Sequence, residues 1–541
     1  MNISGHIVDV RNQRIYSGEL IIEKGIIKSI VEKEDVDDQY LMPGFIDAHV
    51  HIESSMLVPT EFARLAVVHG TVATVSDPHE IGNVLGVEGV EYMIENGKKV
   101  NFKFYFGAPS CVPATPFETA GAEINTDQIK YLLKKPEIKY LAEMMNWPGV
   151  LHQDPVVMAK IKLAHQMKKP VDGHAPGLRG EQAATYARAG ISTDHECFTK
   201  EEALDKLKHG MKIAIREGSA AKNFEALYTL INEFPGEIML CSDDKHPDNL
   251  VESHINELVK RALAKQQDLF KVLQAACITP IDHYQLEVGS LQVNDPADFI
   301  VVNNLEDLRI KETYINGLLV AKEGKTLLKA PKSRIINHFN CQPIASKDIK
   351  VKAATNQMHV MIAEDGQLIT KSKLIKPKTD ASGNAISDTD RDILKLVVYN
   401  RYQPAPPAMA FIKNFGLKEG AIASTVAHDS HNIIAVGVDD DHICQAINAM
   451  VKAQGGVCAV SPEQTEILPL PVAGLMSADD GYEVAKAYEN IDHMAKKMGS
   501  TLASPFMTLS FMALLVIPKL KLSDKGLFDG EAFQFQALFE H

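Results

Sequence analysis

Six short strings in this chain end in imidazoles or carboxylates just where an apolar run stops. PGFIDAHVHIESS carries His49 and His51, GTVATVSDPHE carries Asp77, His79 and Glu80, and IKYLAEMMNWPG carries Glu143. KPVDGHAPG carries His174, GISTDHE carries His195 and Glu196, and GEIMLCSDD carries Asp243 and Asp244. A single histidine at such a place is more often a hydrogen-bonded structural group, and a single carboxylate is more often solvated or a cap for the following helix. His49-Val50-His51 says more, because alternate residues of a strand point to one face and both imidazoles then aim the same way. Taken together, His49, His51, His174, His195, Glu143 and Asp243 form a set that bare protein would bury only at high cost. Two divalent cations would compensate it, and imidazole with carboxylate suits Zn, Mn or Fe better than Ca or Mg. His79, Glu80 and Glu196 fit as orienters of ligands, as substrate contacts or as purely structural groups.

These strings converge only if parallel strands position them. Between residues 43 and 284 there are eight strand candidates, the remaining two being NFKFYFGAPSC, with Ser110 and Cys111, and GMKIAIREGSA, with Arg216 and Glu217. Segments with apolar residues at helical spacing, such as VEGVEYMIENGKK and PVVMAKIKLAHQMKK, alternate with them. Apolar strands alternating with helices predict a parallel sheet, and eight such units predict an α/β fold of the (β/α)8 TIM-barrel type, whose active site lies at the C-terminal strand ends. An open doubly wound sheet is the competing topology. Residues 1–42 and 285–335 read as strands and turns, with a hairpin turn at Lys24-Gly25, and are expected to form one small β domain from both flanks of the barrel. Residues 340–541 read as a further α/β domain with strands at VMIAEDGQLIT and KLVVYNRY and a helix at DHICQAINAMVKAQGG. Its fold does not follow from the residues.

Composition narrows the function classes. The chain has 541 residues and a net charge of −14, which disfavours a phosphate backbone as partner, so no nucleic acid is expected. The apolar run around Phe511–Ile517 is too short to span a bilayer, and no membrane partner is expected. The N-terminal residues lack the apolar core of a signal peptide. Seven cysteines without a CxxC pair argue against a disulfide scaffold or a zinc ribbon and point to a reducing cytoplasm. His69, His152, His165 and His209 read as structural or surface groups.

The PGFIDAHVHIESS string resembles the first-strand signature of the amidohydrolase superfamily, and GSLQVNDPADFIVV resembles the segment that returns to its small β domain. The strings HVHIESS, SDPHEIGNV, AEMMNWPGV, DGHAPG, TDHE and CSDD, with ASTVAHDSHNIIAVG and LPLPVAGLMS near the C-terminus, are similar to those of the adenine deaminase family within it. The resemblance runs over nearly the whole chain. It implies hydrolytic deamination of adenine to hypoxanthine and ammonia in purine salvage, with water ionised between two divalent ions, Mn(II) first and Fe(II) or Zn(II) as alternatives. It implies His49 and His51 on one ion, Glu143 bridging, His174 and His195 on the second, and Asp243 as both ligand and proton shuttle. Glu80 or Glu196 would hold or protonate the ring. The absence of a lysine at the end of the fourth strand speaks against dihydroorotase-like or hydantoinase-like members. Another cyclic amide or imidic hydrolase on the same site is the nearest alternative, and a non-catalytic metal-binding barrel a more distant one. Such barrels often assemble, so a homo-oligomer, dimer or higher, is expected. The AHDSHN string, with His428, Asp429 and His431, reads equally as a site loop and as a polar turn.

His49→Ala is expected to lower metal content and turnover together, checked by elemental analysis beside the rate. Full metal occupancy in that variant would remove His49 from the ligand set.

Overall fold

The computed structural model describes residues 1–540. Strands β1 (Asn2–Asp9), β2 (Arg14–Glu23), β3 (Ile26–Glu32) and β4 (Tyr40–Pro43) open the chain. The turn between β2 and β3 uses Lys24 at φ 50° and Gly25 at φ 79°, a left-handed pair that a tight hairpin requires. A Cβ on Gly25 would also meet the Asn316 carbonyl oxygen at 2.7 Å, so glycine suits this position twice over.

Eight parallel strands follow: β5 (Phe45–Val50), β6 (Thr71–Ser76), β7 (Lys103–Ala108), β8 (Ile138–Met144), β9 (Val171–Gly173), β10 (Thr193–Asp194), β11 (Lys212–Arg216) and β12 (Ile238–Cys241). Each is buried along nearly its whole length, as strands covered on both faces must be. The sheet closes on itself. Ser192 donates its backbone N–H to the Val171 carbonyl at 2.8 Å, joining β9 to β10. Asp243 donates to the His49 carbonyl at 2.9 Å and His51 to the Asp243 carbonyl at 3.3 Å, joining the end of β12 to β5. The result is a (β/α)8 barrel rather than the open doubly wound sheet.

Asp47 clamps this closure from within. Its side chain accepts the Ser242 N–H at 3.0 Å and the Ser242 hydroxyl, and its Oδ2 lies 2.8 Å from His254 Nε2. The other nitrogen of His254 lies 2.7 Å from the Thr71 hydroxyl, so one buried carboxylate couples β5, β6 and β12.

After the barrel, β13 (Phe299–Val302), β14 (Ile310–Ile315) and β15 (Leu318–Lys322) complete the opening sheet. β13 pairs antiparallel with β4, and β4 pairs in parallel with β1, so both flanks of the barrel share one sheet. The C-terminal domain is a second, eight-stranded mixed sheet containing Met358–Ala363, Ile393–Tyr399, Ala421–Ser424 and Ile433–Gly437. The helix Asp440–Ala453 packs on it and ends at Gln454 in the left-handed conformation, followed by Gly455 and Gly456. A long helix, Gly481–Lys497, leans on the barrel, where Tyr488 Oη meets His246 Nδ1 at 2.6 Å. Gly481 N–H donates to Glu61 at 2.9 Å, and Ser477 N–H to the Met56 carbonyl at 2.8 Å. One continuous apolar core runs from Leu57 and Leu65 on the barrel to Met476 and Val484 on this domain. The C-terminal domain is thereby fixed over the barrel mouth. All seven cysteines are free and buried, and no helix among the described residues is long and apolar enough to cross a membrane.

Asp47→Ala removes the clamp and leaves His254 Nε2 and the N–H and hydroxyl of Ser242 without a partner. Burial of unpaired polar groups costs about 1–3 kcal/mol each, so the midpoint of thermal unfolding is expected to fall by several degrees, read by circular dichroism. An unchanged midpoint would contradict the clamp.

Candidate metal centre

β5 ends in His49 and His51 with the intervening Val50 facing the opposite way, so both rings enter the barrel mouth. His51 places Nδ1 3.2 Å from the Asp77 carbonyl oxygen, which leaves its Nε2 free to face the centre. There His49 Nε2, His51 Nε2 and Asp243 Oδ1 form a triangle with sides of 3.2, 3.3 and 3.4 Å. Ligands held about 2.1 Å from a tetrahedral ion stand about 3.4 Å apart. With both histidines neutral and turned to offer a lone pair, these three atoms have the spacing of ligands around one cation.

A second group adjoins the first through Glu143 at the end of β8. Its Oε2 lies 3.0 Å from His174 Nδ1 and 3.2 Å from His195 Nε2. Its Oε1 turns back to His51 Nε2 at 3.6 Å and to His79 Nδ1 at 3.4 Å. His49 and His195 stack with ring centroids 4.0 Å apart, so the two groups share a wall. All six side chains are buried, and His49 Nδ1 and His174 Nε2 have no hydrogen-bond partner. The donor chemistry and the spacing fit a divalent metal site.

Charge at the rim is tightly arranged. Arg216, at the end of β11, is wholly buried and donates Nη1 to Asp243 Oδ2 at 2.7 Å. The same guanidinium grips both oxygens of Glu196, one through Nη2 at 3.0 Å. Burial would push Asp243 up, but Arg216 and the neighbouring histidines outweigh it and hold the carboxyl well below its ordinary range. Glu196 lies in turn 3.4 Å from His195 Nε2 and 3.6 Å from His174 Nδ1.

Glu80 sits across the mouth, its oxygens taken by three imidazoles. His79 Nε2 approaches at 3.4 Å, while His428 and His431 each bind one oxygen. The AHDSHN segment therefore enters the site and is not a surface turn. His428, Asp429, Leu368, Phe511 and Leu514 of the C-terminal domain line a partly open cavity with Met145 and the barrel donors.

The structure thus brings His51, Glu143, His174, His195, Asp243, Glu80 and Glu196 around one cavity, with His49 packed directly behind them against His51 and His195. The bond from Arg216 to Asp243 was not legible in the string IREG, where arginine looked like any strand-end charge. Phe511 and Leu514 lay in an apolar run whose only visible meaning was its length. The signal for His428 and His431 was the two histidines of AHDSHN, spaced as in a turn, with nothing to say which wall they reach.

Residues 40–320 match the amidohydrolase family, and residues 367–534 match the adenine deaminase C-terminal domain. The chain is 55% identical over 537 residues to an adenine deaminase of Salinibacter ruber, covering 99% of this chain and 98% of that one. It is 53% identical over 536 residues to an adenine deaminase of Sulfurovum sp., covering 99% of each chain. An adenine deaminase of Methanosarcina mazei is 51% identical over 548 residues, again covering 99% of each.

Proposed function

The chain belongs to the adenine deaminase family on the amidohydrolase barrel, and from that premise we propose that it hydrolyses adenine to hypoxanthine and ammonia. The observation that carries this reading is a hydrolytic donor cluster roofed by the same C-terminal domain that relatives named adenine deaminase share. Leu368, Phe511 and Leu514 give this mostly polar cavity an apolar flank.

His49, His51 and Asp243 would hold one cation, and His174 and His195 a second, with Glu143 close to both groups. Mn(II) is the proposed ion, with Fe(II) and Zn(II) as alternatives. Bound there, the pair of cations would lower the pKa of a water molecule enough to make it nucleophilic near neutral pH. The water oxygen attacks C6 of adenine. Asp243 has one oxygen tied to Arg216 and the other facing the centre, so it can take the water's proton without turning and pass it to ring N1. Glu196 is gripped by Arg216 on both oxygens, and we assign it to holding that arginine, and through it Asp243, in place. Glu80 meets three imidazoles and acts on the substrate through them. We place the reaction in purine salvage in the cytoplasm, consistent with seven buried free thiols, and expect a dimer or higher assembly.

Adenine, cytosine, guanine, hydantoin and dihydroorotate offered side by side should give turnover with adenine far above the rest, followed as ammonia release and the ultraviolet spectrum of hypoxanthine. Preference for hydantoin or dihydroorotate would replace this reading with a cyclic-amide hydrolase. Asp243→Asn should retain metal at least in part and lose about 10²–10⁴ in kcat. Near-full activity in that variant would take Asp243 out of the proton path.

A further inference from the structure

Deamination needs two protons delivered to two places. Ring N1 takes one as the water oxygen adds to C6, and the 6-amino group takes another as the C6–N bond breaks. Asp243 serves the first from the barrel side. The second needs a further acid, and the C-terminal domain brings His428 and Asp429 to the cavity.

We propose that His428 is the acid that protonates the departing 6-amino group. This rests on adenine being the substrate. The ring of His428 is buried and lines the cavity. Its Nδ1 is bonded to a Glu80 oxygen, while its Nε2 has no hydrogen-bond partner, the nearest acidic oxygen being Asp244 Oδ1 at 3.7 Å. A buried polar atom left without a partner is costly, and here substrate would supply the partner. Imidazole with one nitrogen on a carboxylate and the other open to the reacting group is the arrangement that general acid–base catalysis uses.

The ring is also held still. It lies nearly parallel to Phe511, with centroids 5.4 Å apart and planes 27° apart, and its backbone N–H donates to Ser510 Oγ at 3.2 Å. His431 occupies the other oxygen of Glu80, which fixes the carboxylate that orients His428. Burial alone would favour the neutral ring, but Glu80 and Asp244 outweigh it and raise His428 to about 9, so it enters the cycle protonated.

The step balances. The tetrahedral C6 carries the added oxygen and the amine. The pair of electrons in the C6–N bond leaves with nitrogen, His428 Nε2–H gives its proton to that nitrogen, and ammonia departs. The C6 hydroxyl becomes the carbonyl of hypoxanthine and releases its proton, which returns the imidazole to its starting state. Overall, one adenine and one water give one hypoxanthine and one ammonia.

A leaving group that needs no proton provides the test. With 6-chloropurine the same addition at C6 is followed by loss of chloride, which needs no proton. His428→Asn should lose about 100-fold or more in kcat on adenine, keep most of its 6-chloropurine turnover, and hold as much metal as the wild type. Retained 6-chloropurine turnover also certifies the fold. Glu80→Gln, which loosens the ring without removing it, should show the same bias toward 6-chloropurine to a smaller degree. Equal losses on both substrates, or an undiminished kcat on adenine, would overturn the proposal. So would loss of metal from the variant, because Glu80, His428 and His431 would then be ligands of an ion. If the wild type hydrolyses adenine but not 6-chloropurine, rescue of adenine turnover in His428→Gly by added imidazole is expected, and its failure overturns the assignment. A wild type inactive on adenine would instead overturn the reaction proposed above and leave the donor geometry intact.

Discussion

Six buried ligand-type side chains face one another across the barrel mouth at 3.0–3.9 Å, and most of the surrounding architecture serves that crowding. Carboxylates gain from the imidazoles that donate to them, but imidazole nitrogens packed that close to one another gain little from mutual contact in a low-dielectric interior. Cations turn the same arrangement into a stable one, and the spacing suits them. The need to hold these donors in place before any ion arrives explains the layers around them. Arg216 fixes Asp243 and Glu196 at one rim, the Asp77 carbonyl fixes the ring of His51, and Asp47 locks together the strands from which His49, His51 and Asp243 project.

The C-terminal domain contributes on the same principle, by bringing rigid groups to a place that water would otherwise fill. Phe511, Leu514 and Leu368 line the cavity, and their backbones are themselves held. Lys521 is entirely buried and donates to the carbonyl oxygens of Leu368 and Phe511, at 2.5 and 2.8 Å. Burial with no carboxylate beside it pushes that ammonium down to about 7, so the roof depends on a lysine that gives up its proton unusually easily. Excluding water strengthens every electrostatic contact beneath the roof. It also places His428 and Glu80, which come from regions more than 300 residues apart in sequence, within one hydrogen-bonded pair.

The barrel was legible because its strands are buried on both faces and end in chemistry. Period and strand ends alone lead from HVH, AEMM, DGH, TDHE and CSDD to the cluster that the structure assembles. The sheet shared by the two flanks was legible for a similar reason, since IIEKGIIKSIVEK carries both its alternation and its turn residues. The C-terminal domain was not. Its strands Ile393–Tyr399 and Ile433–Gly437 are fully buried, so they lack the alternation that would show which face meets which partner, and their order in the sheet departs from their order in the chain. Arg216 was visible as a residue but not as a partner, because its bonds run to Glu196 and Asp243, which lie 20 and 27 positions away. The same holds for His428 and His431, whose meaning depends on Glu80, nearly 350 positions earlier. Local spacing reveals donors on one strand and says little about pairs that only the packing of two domains creates.

The most direct test of the account is a titration of metal-stripped protein with Mn(II), following ammonia release from adenine and bound metal together. Activity should be absent after chelation and rise to a plateau as two equivalents of metal bind per chain. Undiminished adenine turnover in protein verified to be metal-free would contradict the central claim that this cluster exists to hold cations for hydrolysis.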